Sequence, residues 1–167
     1  MWAWIVLGSL LGTVVVFLLI SALKDKRKNY VVKKETEKHE ALKEHARQLV
    51  GIWVEIVDWH NQKLLDQFVP SIGKIRMSEI RHRARTALEL LSEKQEFQIM
   101  SESEANQDMV QAFEKLRRSN SNNWTKNNRD ELKLFRSAAE QGINARQNHP
   151  FYYQAQREIE GVYREST

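Results

Sequence analysis

The sequence predicts an all-α protein with a single N-terminal transmembrane helix, a charged helical stalk and a small antiparallel helical bundle. Three observations support this fold class. Residues 1–23 contain no charged side chain, apolar residues recur at intervals of three and four over much of residues 42–162, and the 167 residues include only 2 Pro and 6 Gly. Such intervals follow one face of an α-helix, whereas an all-β fold would need more turn residues.

Residues 1–23 are predicted to span a membrane. Residues 5–20 are almost uniformly apolar, and a helix of about 20 residues covers the hydrocarbon core of a bilayer, roughly 30 Å. Trp2, Trp4 and Tyr30 stand where interfacial aromatic residues are expected. The alternative is a cleaved signal peptide. It is disfavoured because such peptides carry a basic residue before a shorter apolar core.

A GxxxG motif lies within this predicted span. Gly8 and Gly12 are one helical turn apart, with Ser9 and Thr13 beside them, so a second helix could approach closely along this face. The motif predicts helix packing in the membrane, although small residues are also common in transmembrane helices for no such reason.

The segment that follows is strongly basic. Residues 24–34 contain six basic side chains and one acidic one. By the positive-inside rule the amino end faces outwards and the remainder is cytoplasmic, which fits a bacterial inner membrane. These cations are also predicted to contact anionic lipid headgroups. They are Lys24, Lys26, Arg27, Lys28, Lys33 and Lys34.

This cluster explains the overall charge of +4 and the pI near 9.3. Residues 35–167 contain 20 basic and 21 acidic side chains. A nucleic-acid-binding protein should instead carry excess basic residues over a folded surface. No nucleic-acid partner is therefore expected.

The sequence divides into a transmembrane helix at 1–23, a basic juxtamembrane segment and stalk at 24–41, and a cytoplasmic helical bundle at 42–167. Five helices are expected after the span, with a Ser- and Asn-rich loop at 119–128. The third is capped by Ser101 or Ser103. Their expected ranges are 33–69, 71–100, from about 104, 129–146 and from about 151.

Apolar residues between Leu42 and Leu64 include three heptad-spaced sets, namely 42/49/56, 46/53/60 and 50/57/64. Heptad spacing favours packing against a nearly parallel helix. That helix would belong either to a second copy of the chain, giving a coiled coil, or to the chain's own bundle.

No catalytic, cofactor or metal site is predicted. The chain has no Cys, which excludes thiolate chemistry. His39 and His45 are six residues apart, too far for a zincin pair, and Glu79 with His82 forms one Glu-x-x-His where a di-iron bundle needs two. His60 lies on the apolar stripe. This position favours a structural, hydrogen-bonded histidine of the core over a catalytic or pH-sensing one.

Two features are candidate contacts for a protein partner. Arg81, Arg83 and Arg85 lie in the most basic stretch of the bundle, although a solvated face paired with Glu residues is the simpler interpretation. Trp124 lies in a polar loop, where it either pins the loop to the bundle or contacts a partner.

The sequence thus favours a membrane-anchored scaffold, adaptor or regulatory subunit that acts through protein–protein contacts at the cytoplasmic face. Its partners would be membrane lipid and a protein or a second copy of itself, with no small-molecule substrate. The alternatives are a bitopic envelope or phage-type lysis protein with a periplasmic helical domain, and a membrane-tethered enzyme with an unrecognised site.

Overall fold

The structure, a computed structural model, describes the backbone of residues 2–66, 77–120, 124–142 and 150–164, and their side chains at Lys24 and from Lys26 onwards. All secondary structure within these ranges is helical. The chain forms two compact units, Met1–Ala41 and Leu42–Thr167. The helices are α1 (Trp2–Asp66), α2 (Met77–Ser92), α3 (Gln95–Ser101), a 3₁₀ turn (Glu104–Asn106), α4 (Gln107–Arg118), α5 (Trp124–Asn127), α6 (Arg129–Gln141) and α7 (Pro150–Arg164).

Helix α1 is continuous from Trp2 to Asp66. It therefore includes both the sequence predicted to span a membrane and the helix predicted at 33–69, which were expected as separate helices. The predicted span and its GxxxG motif lie outside the described side chains. Among the side chains that are described, no helical stretch is long and apolar enough to cross a membrane.

The second unit is a helical bundle built around the last part of α1. Between Ala46 and Asp58 this helix is buried on nearly every face, including Ile52 and Val54 outside the predicted stripe. A helix that other helices cover on nearly every side occupies the centre of a bundle. The surrounding helices supply the apolar positions that the sequence predicted, such as Leu88, Phe113, Phe135 and Ile159.

Gly51 sets the distance between α1 and α6. A Cβ atom at this position would lie 2.6 Å from the carbonyl oxygen of Phe135 and 2.8 Å from the amide nitrogen of Ala139. Only glycine permits so close an approach of two helix backbones. Asp58 bonds Thr125 while Gly142 lies against Gln48, so α1 and α6 run in opposite directions.

The heptad-spaced residues pack within the chain's own bundle. Ala46, Leu49, Val50, Trp53 and Val57 all belong to the apolar core. The indole nitrogen of Trp53 donates to the carbonyl oxygen of Ala87 on α2. Of the two alternatives for this stretch, packing inside the chain's own bundle therefore agrees with the placement of these residues, while Leu42, the first of the heptad-spaced set, is exposed.

The helix predicted at 71–100 is two helices within its described part. Bonds of the i→i+3 type close α2 at Glu93 and Lys94, and Lys94 then has extended backbone angles at the start of α3. This turn carries the Lys94 ammonium group to Glu158, at 2.7 Å, and over the ring of Trp53. The sequence has no Pro or Gly at this break. The break was therefore not predicted, and the contacts of Lys94 that accompany it are tertiary.

The predicted caps and loop also differ from those observed. Neither Ser101 nor Ser103 caps α4. Asn106 precedes that helix after a 3₁₀ turn and makes no side-chain capping bond. The loop expected at 119–128 contains the short helix α5. Pro150 opens α7 at a first helical position, which suits its fixed φ and missing N–H.

Candidate functional site

A groove of about 400 Å³ runs between α1 and α7 on the surface of the bundle. Ile52, Ile56 and Tyr152 form its apolar lining. Trp59 borders the groove and is 57% exposed, and Tyr153, in edge-to-face contact with Tyr152, is 53% exposed. We call this surface the aromatic groove. Exposed aromatic side chains beside a depression are typical of contact sites for proteins.

His60 lies at one wall of the aromatic groove. Its ring stacks on Tyr163 at 4.9 Å and meets Trp59 edge-to-face at 4.8 Å. Burial lowers the pKa of His60 below its ordinary value of 6.5, against an opposing effect of Glu160. The imidazole is therefore neutral at pH 7, and its main contribution is aromatic packing.

A buried polar network lies behind this wall and joins α1, α2 and α7. The Tyr163 hydroxyl donates to Asn61 Oδ1 at 2.6 Å. The Arg83 guanidinium donates to the Tyr163 carbonyl oxygen and to Glu79 Oε1, both at 2.5 Å. Burial raises the pKa of the Tyr163 phenol, so it stays protonated as a donor. Arg83 thus satisfies a carbonyl in the last turn of α7, where a cation is favoured by the helix dipole.

This network corrects one predicted site residue. Arg83 was expected on the surface, as a candidate partner contact, but it is only 4% exposed. Arg81 and Arg85 both bond Asn120, through its backbone oxygen at 2.5 Å and its side-chain oxygen at 3.2 Å. They hold the end of the α4 segment against α2, where pairing with Glu residues had been expected.

Trp124 is also in the interior. Its side chain is 2% exposed and its indole nitrogen donates to the Leu116 carbonyl oxygen at 3.3 Å. The interpretation that it pins the loop onto the bundle therefore agrees with its placement, and the partner contact at this residue is wrong.

Asp58 connects α1 to α5 and α6 through hydrogen bonds of its side chain. Its carboxylate accepts from Thr125 and Gln62 at 2.9 Å and from Arg136 at 3.5 Å. Burial raises the pKa of Asp58 above 3.8, while its hydrogen bonds oppose that shift. The role of this buried carboxylate is therefore to hold α5 against α1.

A second, larger groove of about 1000 Å³ lies between the end of α1 and the helices α5 and α6. Its wall carries four cations, Lys126, Arg129, Lys133 and Arg136, against the two acidic side chains Asp66 and Glu140. Leu65 and Leu132 contribute apolar surface between them. We call this surface the basic groove.

Sequence reasoning missed both grooves. Trp59 lies off the apolar stripe, beside buried Asp58, and a large aromatic residue at such a position is a signal for a surface contact. Arg129, Lys133 and Arg136 follow the i, i+4, i+7 spacing of one helical face. Neither signal shows which helix forms the opposite wall, since that depends on tertiary packing.

In the first unit, the six predicted lipid contacts between Lys24 and Lys34 are all exposed. Tyr30 is 66% exposed and is followed by exposed Val31 and Val32. This segment of α1 therefore presents cations and apolar side chains together at its surface.

Among the side chains that the structure describes, no group of three or more His, Asp or Glu residues could hold a metal ion. Glu79 of the Glu-x-x-His sequence pairs with Arg83, and His82 is exposed.

Comparisons of this chain with protein-family models, with curated proteins and with solved structures gave no match.

Proposed function

We propose that this protein is a membrane-anchored helical adaptor or regulatory subunit. Residues 1–23 would anchor it, and the bundle would bind a protein partner on the cytoplasmic side without catalysing a reaction. The observation that carries the proposal is the aromatic groove, because Trp59 is exposed beside its apolar lining and exposed Tyr153 contacts the lining residue Tyr152.

The anchor is supported by the sequence of residues 1–23 together with the surface of α1 beyond them. About 30 residues of helix extend some 45 Å, the thickness of a bilayer including its headgroups. A helix that enters a membrane at Trp2 would therefore reach the opposite headgroups near Tyr30. Cations and an exposed Tyr at that depth would meet anionic headgroups and the interfacial layer.

The partner contact is supported by the chemistry of the aromatic groove. Ile52, Ile56 and Tyr152 offer apolar surface. Trp59, which borders the groove, and Tyr153, which contacts Tyr152, have few rotatable bonds to immobilise on binding. Neutral His60 adds no charge to the wall, whereas Glu55 and Gln156 add an acidic and an amide side chain to it. This surface suits a protein that inserts an aliphatic or aromatic side chain.

The anchor is tested by fractionation and by reporter fusions. The full chain should stay in membranes after carbonate extraction, and deletion of residues 2–23 should release it. A phosphatase fused after Thr167 should be inactive if the bundle is cytoplasmic. A phosphatase that is active there would instead support the periplasmic alternative.

The aromatic groove is tested by photo-cross-linking in cells. A benzoylphenylalanine placed at Trp59 should give a discrete adduct with one protein, whereas the same group at exposed Gln111 on α4 should not. Tyr153→Ala should reduce the adduct, since it removes the second exposed ring. Equal labelling from both positions, or none from Trp59, would contradict the proposed contact.

A further inference from the structure

Two surfaces of the bundle carry opposite charge. One is the basic groove. The other is formed where α2, α3, the 3₁₀ turn and α4 follow one another, and we call it the acidic corner. Residues 93–108 contain five acidic side chains and one basic one, Lys94, which is bonded to Glu158. The acidic side chains that are exposed there are Glu93, Glu102, Glu104 and Asp108.

Helix α4 separates the two surfaces. It starts at Gln107, beside the acidic corner, and ends at Arg118. Near its end Lys115 pairs with Glu131 at 3.1 Å, which fixes the first turn of α6 and therefore Arg129 at that end of the bundle. Eleven helical steps cover about 17 Å. The surfaces are thus too far apart to pair within one copy.

The helix dipoles do not explain these charges. Arg129 is the first residue of α6, where the positive end of the dipole disfavours a cation. Glu93 directly follows the last residue of α2, where the negative end disfavours an anion. Among the described residues, neither Arg129 nor Glu93 has an ion-pair partner that would offset this cost.

The basic groove suits an acidic protein surface better than a small anion or a nucleic acid. Its cations follow one face of α6 from Arg129 to Arg136, about 10 Å along the axis, so they do not converge on one point. Leu65 and Leu132 lie among them. A single-stranded nucleic acid would need aromatic side chains on which its bases could stack. Trp124, on neighbouring α5, is buried and cannot provide such a surface.

We infer that the basic groove binds the acidic corner of a second copy of this chain. The pairing is heterologous, because one copy contributes its basic groove and the other contributes its acidic corner. Such a contact repeats without closing unless its rotation happens to form a ring. The interaction goes beyond the proposed function, since it requires neither the anchor nor the aromatic groove.

Disulfide cross-linking of the full-length protein tests the contact, since the chain has no native Cys. Exposed Ser137 lines the basic groove, and exposed Ala105 lies in the acidic corner. Ser137→Cys and Ala105→Cys, carried on chains with different tags, should form a mixed dimer on oxidation and few dimers of either variant alone. Both changes in one chain should give a ladder of covalent oligomers.

Charge reversal provides the matched test. Arg129→Glu with Lys133→Glu, made in the Ser137→Cys chain, should reduce the mixed dimer about tenfold because like charges then face each other. Glu102→Lys with Glu104→Lys in the Ala105→Cys chain should restore it in combination. The control, Lys38→Glu with Arg164→Glu, changes the net charge equally at exposed residues that belong to neither surface and should leave cross-linking within twofold.

Three results would overturn the inference. They are the absence of the mixed dimer in the otherwise unaltered pair, its persistence after reversal of the groove alone, and failure of the doubly reversed pair to recover although circular dichroism shows both variants folded. Each of these results would also leave the basic groove to an acidic segment of another protein. None bears on membrane extraction or on cross-linking from Trp59, so the proposed function is tested separately.

Discussion

Replacing Gly51 with alanine should force α1 and α6 apart. The added Cβ would lie 2.6 Å from the Phe135 carbonyl oxygen, 2.8 Å from the Ala139 nitrogen and 3.1 Å from the Ala138 Cβ. Two of these three neighbours are backbone atoms within a helix, so they cannot rotate away. Relief requires movement of the helices themselves, and α1 is the central helix of the bundle.

The expected loss of stability is the difference of two effects. Alanine in place of a helical glycine favours folding by about 0.5–1 kcal/mol. Overpacking of a tight interface costs about 1–3 kcal/mol, and the upper part of that range applies where backbone must move. We therefore expect a net loss of about 1–2 kcal/mol, which lowers Tm by roughly 3–10 °C for a domain of this size.

The measurement is urea and thermal unfolding of the full chain in mild detergent, followed by circular dichroism. Gly161→Ala is the matched control, because a Cβ at that position on α7 meets nothing within 4 Å. It should stabilise the bundle by about 0.5–1 kcal/mol through helix propensity alone. If Gly51→Ala also stabilises the protein, the close approach of α1 and α6 would be refuted.

Three further variants probe the buried polar groups by the same unfolding measurements. Arg83→Met should destabilise the bundle by about 2–4 kcal/mol, since the buried Tyr163 carbonyl loses its partner; an unchanged midpoint would contradict this. The pKa of His60 is lowered from 6.5, so the neutral ring stabilises the fold above that pH, and this stabilisation is lost as the pH falls. Acidification from pH 7.5 to 5 should therefore destabilise the wild type relative to His60→Phe. The pKa of Asp58 is raised from 3.8, so the folded state binds a proton more readily than the unfolded state. Lowering the pH from 7 to 4 should therefore stabilise the wild type relative to Asp58→Asn.

Apolar periodicity predicted which residues of the outer helices form the core. Leu88, Phe113, Phe135 and Ile159 are all buried as their spacing indicated, because burial of an apolar helical face is decided locally by a 3.6-residue period. Helix ends were predicted less well. At the break between α2 and α3, Lys94 contacts Glu158 and Trp53, which are far away in the sequence.

Surface and interior could not be told apart for single polar or aromatic residues. Arg83 and Arg85 are two positions apart in one basic stretch, yet Arg83 is buried and Arg85 is exposed. Residues two apart point to different sides of a helix, and only the position of α7 reveals which side is covered. Likewise Trp124 is buried while Trp59 is exposed, although Trp124 is the one in a polar sequence.

The sequence by itself determined that the protein is helical, where its charged and uncharged segments lie, and which apolar residues of the outer helices enter the core, because these depend on local spacing and composition. Tertiary structure alone decided that the heptad-spaced residues of α1 from Ala46 onwards pack against the chain's own helices and that Arg83 caps α7. It also decided that α1, α5 and α6 enclose the basic groove. Each of these results depends on which helices become neighbours, and that is set by packing between residues far apart along the chain.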